Sequence, residues 1–424
     1  MENLTKQSTN EHLKNGCSYS DRKGKAFDRS EDNIKKVYVK DQKKDKVFIN
    51  KEQLKNIKEM EKYLVNNNFI LSDNFELINY LDSGGESNVY GINIINKDKN
   101  GKIHRKKAVM KAILLHNKEK ETRRQIYISN KLKHNNIINL YGFTKLKDDT
   151  FLLFMEKARY GHIRNFERKI IQKPNLSESM LCYFSYQILN AIAYSHKCKV
   201  AHLDIKLQNI VIDEYLNAKL IDFSISLNYE GKKKNDSIVL PCRGTNFYLP
   251  KEILESKKIK IKDLNKVDLY SFGVVLFNLA FSRYPYNLTH GDEDNYDEIL
   301  RKMKYNEIIF DKGYSPYFID FLKQLLQTDI DKRIDIQGAL NHYWIKGAQL
   351  LLDEKDKIYN ANVFTSYLMT DHIESFNEYI NIPNKPKEER REQMTIQENN
   401  CKEEREILYK INNKSLQNSL YSHI

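Results

Sequence analysis

Nine residues, Ala201-His-Leu-Asp-Ile-Lys-Leu-Gln-Asn209, constrain this chain more than any other stretch. They place one carboxylate, one ammonium and one amide within a short span. Asp204 can accept a proton from an attacking hydroxyl. Lys206 can neutralise charge on a phosphate in transfer. Asn209 can hold a metal ion through its amide oxygen. The apolar run Ile210-Val-Ile follows, and a second run, Lys219-Leu-Ile-Asp-Phe-Ser224, brings another carboxylate, Asp222, to its end. Two short strands that each end in a metal-ligand side chain fit a loop-built site for phosphoryl transfer. A buried turn that His202 and Asp204 merely satisfy would fit the nine residues taken alone. The rest of the chain has to decide.

The 424 residues suffice for two or three domain-sized units, and 40% hydrophobic residues can fill a sizeable core. No apolar run approaches the ~20 residues of a membrane span; Phe272 to Phe281 is too short and reads as a buried helix. The first residues carry no apolar core of a signal peptide, so the chain is expected not to be secreted. Five scattered cysteines fit a reduced intracellular compartment, cytoplasmic or nuclear, without a zinc site. The formal charge of +13 comes from lysines mixed with Asn, Ile and Asp. It reads as compositional bias rather than as the footprint of nucleic acid.

Residues 1 to about 50 are polar and aperiodic and are expected to be disordered. Leu54, Ile57, Met60 and Leu64 recur at helical spacing, so a short amphipathic helix is expected over 52–64, docked on the core or free for a partner. Phe75 to Leu81 and Tyr90 to Ile95 read as strands around a glycine turn, Asp82-Ser-Gly-Gly-Glu-Ser-Asn88. Strand, turn, strand fits a loop over phosphates or an ordinary hairpin; it does not fit a Rossmann turn, which opens a helix. Lys111 interrupts the apolar strand 107–114, which is costly unless its ammonium meets an anion. Helices are expected over 118–133 and, amphipathic, over 177–197, with a strand and linker over 150–158.

With these parts in place, the chain resembles the eukaryotic protein kinases of the serine/threonine type. His202, Asp204, Lys206 and Asn209 match the family's catalytic loop, and Asp222 with Phe223 matches its metal-binding loop. The resemblance covers about residues 74–346, with matches in family order at Gly84, Lys111, Asp204, Asn209, Asp222, Glu252, Asp268 and Arg333. Residues 134–143 and the linker are similar to Aurora-type kinases. The resemblance implies an α+β, two-lobed kinase fold: an N-lobe (74–158) with a five-stranded antiparallel sheet and one helix, and a mainly helical C-lobe (159–346). Extensions 1–73 and 347–424 flank it as possible sites for protein partners, the second charged from Lys385 onward. It implies ATP between the lobes, Mg2+ or Mn2+, and a protein substrate. Asp204 would be the base, Lys206 and Lys111 would hold phosphates, and Thr245 would bond to Asp204 and Lys206. Asn209 and Asp222 would hold the metal. Leu81, Gly84, Val89, Ala108, Met155, Glu156, Ala158 and Val211 would form the nucleotide pocket, with Ala108 and Val89 capping adenine. Glu252 would pair with Arg333, Asp268 would bind the catalytic-loop backbone, and His202 and Phe223 would support the site.

Departures from the pattern are several. Gln125 stands where the family has the glutamate that pairs with the strand lysine; its amide oxygen could accept from Lys111 without charge assistance. Ser129 replaces an apolar residue, Ser224 a glycine, and Asp82 and Ser87 two glycines. Leu203 replaces the arginine that clamps an activation-loop phosphate, and Pro241 occupies the usual phosphosite. The two losses agree, so order in that loop is expected not to rest on that phosphorylation. Ser237 and Lys232 to Lys234 leave another modification open. A pseudokinase, binding nucleotide with weak or no transfer, is the alternative to an active enzyme.

Overall fold

The computed structural model describes residues 55–66, 75–348 apart from 85–86, 99, 114–118, 147, 173–175 and 312, and then 351–353, 364–365 and 368. The expected disorder of 1–50 and of the tail from 385 lies outside the described residues. A first helix, α1 (Ile57–Asn66), precedes the five strands β1 (Phe75–Gly84), β2 (Ser87–Lys97), β3 (Ile103–Ile113), β4 (Leu140–Lys145) and β5 (Phe151–Glu156), with helix α2 (Glu119–Lys131) between β3 and β4. The sheet order is β1-β2-β3-β5-β4, antiparallel throughout.

Side chains alternate across a strand, so each strand supplies both faces. On one face Tyr90, Ile92, Ala108, Met110, Ala112 and Leu152 cluster with Met60, Tyr63 and Leu64 of α1. The apolar stripe read at 52–64 thus docks on the sheet, and it is not free for a partner. Tyr63 is buried yet satisfied, its hydroxyl bonded to Asp148 and to Thr150 Oγ1 at 2.6 Å. On the other face Ile113, Leu140, Phe151 and Leu153 meet Ile126 of α2.

After a short strand β6 (Gly161–His162) and helix α3 (Ile163–Phe166), the larger lobe is built on α4 (Glu178–Lys197). The Ser177 hydroxyl caps α4 by accepting the Met180 N–H. The helix was expected to be amphipathic; most of its residues are buried, because packing surrounds it. Buried Glu178 is satisfied by Ser315 and by the indole N–H of Trp344 at 2.9 Å. Then come β7 (Val200–Ala201), β8 (Ile210–Ile212), β9 (Ala218–Leu220), β10 (Leu227–Asn228), β11 (Ser237–Val239), α5 (Lys251–Leu254), β12 (Lys258–Lys260) and α6 (Leu264–Phe281). Helices α7 (Tyr296–Tyr305), α8 (Pro316–Leu325), α9 (Ile336–Asn341) and α10 (Tyr343–Lys346) complete the lobe. The apolar stretch 272–281 lies in α6, buried along nearly its whole length. A Cβ on Gly273 would lie 2.9 Å from Leu325 Cβ, so the glycine is what lets α6 and α8 approach. Among the described residues no helix is long and apolar enough to cross a membrane.

Candidate active site

The hairpin of β8 and β9, Ile210 opposite Leu220, sets the loops 202–209 and 221–224 side by side. Asn209 C=O accepts the Ile221 N–H at 3.0 Å. His202 Nδ1 accepts the Asp204 N–H at 3.2 Å, which places the ring proton on Nε2, 3.0 Å from Ile221 O. The ring centroids of His202 and buried Phe223 lie 4.7 Å apart.

Leu203 and Asp222 both have left-handed backbones, φ 65° and 64°. That conformation costs a branched residue roughly 1–2 kcal/mol, and Asp268 offsets it at Leu203. Its fully buried carboxylate accepts the N–H groups of His202 (2.9 Å) and Leu203 (2.8 Å) and meets His196 Nε2 at 2.7 Å. Burial alone would raise the Asp268 carboxyl. The bond to His196 and its charge, then His202 and the Leu203 N–H, outweigh it and hold the group below the usual carboxylate range.

Four of the expected site residues meet directly. Lys206 Nζ is 2.9 Å from Asp204 Oδ2 and donates to Thr245 Oγ1 at 3.1 Å. Asn209 Nδ2 donates to Asp204 O (2.8 Å) and Oδ2 (2.9 Å), so its Oδ1 is the atom that could hold a metal. Thr245 bonds to Lys206, as expected; its contact with Asp204 runs through that lysine. Gly244, φ +118°, takes a conformation that side chains avoid, and a Cβ there would come within 3.4 Å of Asp204 Oδ1 and Leu203 O.

Lys111 Nζ lies 3.0 Å from Asp222 Oδ2. Gln125, buried on α2, does not accept from Lys111 as expected. Its Nε2 donates to Asp222 Oδ1 at 3.2 Å, because the ammonium already sits on the other carboxylate oxygen. Burial would raise Asp222, but the charge and bond of Lys111, then Ser224 and His202, hold it below the ordinary range. Glu121, one turn upstream, pairs with Arg243 of the activation segment at 3.1 Å rather than with Lys111.

Of the residues expected to form a nucleotide pocket, Leu81, Gly84, Val89, Ala108, Met155 and Glu156 lie on the five-stranded sheet, and Ala158 and Val211 lie outside it. Val89 stands opposite Lys111 on β2 and so shares its face. Ala108 does not: three residues before Lys111, it points to the opposite face and is buried under α1 with Met110 and Ala112. Val109, two residues before Lys111, shares its face and stands opposite Met155, at the place expected of Ala108. Counting alternation back from Lys111 would have found it. Leu81 is exposed at a register shift, and Gly84 closes the turn opposite Ser87. Glu156 pairs through its side chain with Lys219 at 3.0 Å, Ala158 C=O accepts the Gly161 N–H, and Val211 is buried on β8. Deeper in the lobe, Arg333 forms a buried fork with Glu252, at 2.7 and 3.1 Å.

The sequence profile of the protein kinase domain family matches residues 75–345. Among curated proteins the chain is 30% identical over 275 residues to an Aurora kinase of Schizosaccharomyces pombe, 64% of this chain and 71% of the relative. It is 30% identical over 231 residues to an Aurora kinase of Dictyostelium discoideum, covering 54% and 56%, and 28% identical over 288 residues to CBL-interacting protein kinase 11 of rice, covering 65% and 52%. The chain thus spans little more than half the length of two of these three relatives. The two-lobed architecture, the hairpin that joins the two loops and a profile match over most of the described residues agree, and the chain belongs to the protein kinase family.

Proposed function

We propose that this chain is a serine/threonine protein kinase, transferring the γ-phosphoryl group of ATP to Ser or Thr hydroxyls of a protein. The observation that carries the reading is the joined network of Asp204, Lys206, Asn209 and Thr245. Asp204 takes the proton of the acceptor hydroxyl. Lys206, fixed between Asp204 and Thr245, stabilises the oxygens of the group in transfer. The Asp222 carboxylate and Asn209 Oδ1 are hard oxygen donors, which fits Mg2+, or Mn2+ in its place. When bound with ATP, that ion neutralises phosphate charge. Lys111, now paired with Asp222, would hold the nucleotide phosphates, and Gln125 would orient the Asp222 carboxylate. Catalysis in this reading is positioning and electrostatics.

One observation favours the second reading, a nucleotide-binding pseudokinase: Lys111 and Gln125 both engage the carboxylate expected to hold metal. A thermal shift on adding ATP and Mg2+, with no transfer, would support it. The Lys206–Thr245 bond favours Ser and Thr acceptors. Phosphoamino-acid analysis of a labelled substrate is expected to give phosphoserine and phosphothreonine; mainly phosphotyrosine would overturn that choice.

A further inference from the structure

Residues 226–229 of the activation segment, which runs from Asp222 to Glu252, lie alongside 199–202, the entry to the loop that carries Asp204. β10 pairs antiparallel with β7, Leu227 opposite Ala201 and Asn228 opposite Val200, and the Tyr229 N–H donates to Lys199 O at 2.9 Å. Ser226, wholly buried, donates its hydroxyl to His202 O at 3.0 Å. Tyr229 reaches deeper. Its side chain is buried, and its hydroxyl meets His196 twice: it donates to His196 O at 3.0 Å and stands 3.1 Å from ring Nδ1.

The other ring nitrogen, Nε2, is 2.7 Å from Asp268 Oδ2. A carboxylate only accepts, so Nε2 carries a proton, and Nδ1 of the neutral ring accepts from Tyr229. Burial, then the charge of Asp268 and Cys198, push the Tyr229 phenol up to about 12, so the hydroxyl keeps its proton. His196 O has a second donor, the Lys199 N–H at 3.0 Å. Among the described residues, Nδ1 has Tyr229 alone. Asp268 in turn accepts the N–H groups of His202 and Leu203 and holds Leu203 in its left-handed conformation, one residue before Asp204. Tyr229, His196, Asp268 and the backbone of 202–203 thus form one unbroken chain of hydrogen bonds. It is buried, where losing one donor leaves the next group without a substitute from water.

We propose that Tyr229 is a positioning residue for Asp204, acting through the His196 ring and Asp268. The hydroxyl fixes the ring, the ring fixes the carboxylate, and the carboxylate fixes the loop. Nothing is transferred along the chain; each proton stays on its donor. The effect on turnover rests on the kinase reading above; the hold on the loop does not.

The test uses the full chain and Tyr229→Phe, which keeps the ring and removes the hydroxyl, alone and combined with Asp268→Asn. Amide hydrogen exchange resolved to single residues reads the hold directly. In Tyr229→Phe the His202 and Leu203 N–H groups are expected to exchange about tenfold faster, while the amides of α8 and of the five-stranded sheet keep their rates. Unchanged exchange at the two amides, or a uniform rise across the molecule, overturns the proposal. In phosphate transfer, kcat is expected to fall about 3- to 30-fold with KM for ATP within about twofold. Unchanged kcat overturns the proposal even where exchange rises. In the Asp268→Asn background the same change is expected to have no further effect on kcat; a full additive loss there means that Tyr229 acts by another route, and also overturns it. Absence of transfer by the wild type, with the local rise in exchange present, sinks the kinase reading and leaves Tyr229 as the residue that holds the loop.

Discussion

Asp222 answers to three constraints at once: a left-handed backbone, a salt bridge to Lys111 and the amide of Gln125. A glutamate at 125 would set a like charge against Asp222 until a metal takes that carboxylate, and would then attract Lys111. Gln125→Glu is therefore expected to lower the Tm of the ligand-free protein and to preserve or raise turnover at saturating Mg2+. A large loss of kcat would show that Gln125 acts as an amide in the working enzyme. Asp268 gives a pH dependence. Its carboxyl is held below the unfolded value of ~3.9, so its stabilisation is complete above that value and is lost as pH falls through the lower folded value. Asp268→Asn is expected to cost about 2 kcal/mol at pH 7, as for a hydrogen bond to a charged group, and the gap to wild type should close in acid. A gap independent of pH would contradict this. Lys111, Asp204, Asn209 and Asp222 could be singled out in the sequence because phosphoryl transfer would need those side-chain types, and the fold sets them in two contacting pairs, Lys111 with Asp222 and Asn209 with Asp204. The partner of Gln125 was not, since an amide donates or accepts according to neighbours 97 residues away. Ala108 was misplaced by one residue, which in a strand means the wrong face.

At the scale of elements, α2 is held to the activation segment by Arg243–Glu121 and by Arg124 donating to Ser224 O at 3.3 Å. Both members of the salt bridge are substantially exposed, so the pair contributes at most about 1 kcal/mol. Reversing Arg243 to Glu is expected to lower kcat/KM a few-fold at low salt, and the added Glu121→Arg to restore it. A swap that restores nothing would leave the pair without a positioning role. The strands of 75–95 were readable from two apolar runs around a glycine turn, and the buried helix over 272–281 from its unbroken apolar run. The pairing of β11 with β12 was not, because helix α5 lies between them and β12 is three residues long, two of them lysine, so only the ladder reveals it.

At the scale of the molecule, the sheet needs cover on both faces, and α1 supplies it on one. Leu64 is wholly buried there, and Leu64→Ala is expected to lower Tm by several degrees, in line with the ~2–5 kcal/mol cost of such truncations; an unchanged Tm would mean α1 is dispensable. The two-lobed plan was legible because ordered matches from Gly84 to Arg333 span both lobes. The docking of α1 was not, since its stripe alone does not name its partner. The measurement that bears most directly on the whole reading is phosphate transfer from γ-labelled ATP by the purified chain, with Mg2+ and with Mn2+, beside Asp204→Asn and Asp222→Ala. The expected result is transfer by the wild type and a loss of at least about 100-fold in each variant. Absence of transfer by the wild type, in a protein that ATP and Mg2+ still stabilise against heat, would contradict it and leave a nucleotide-binding scaffold.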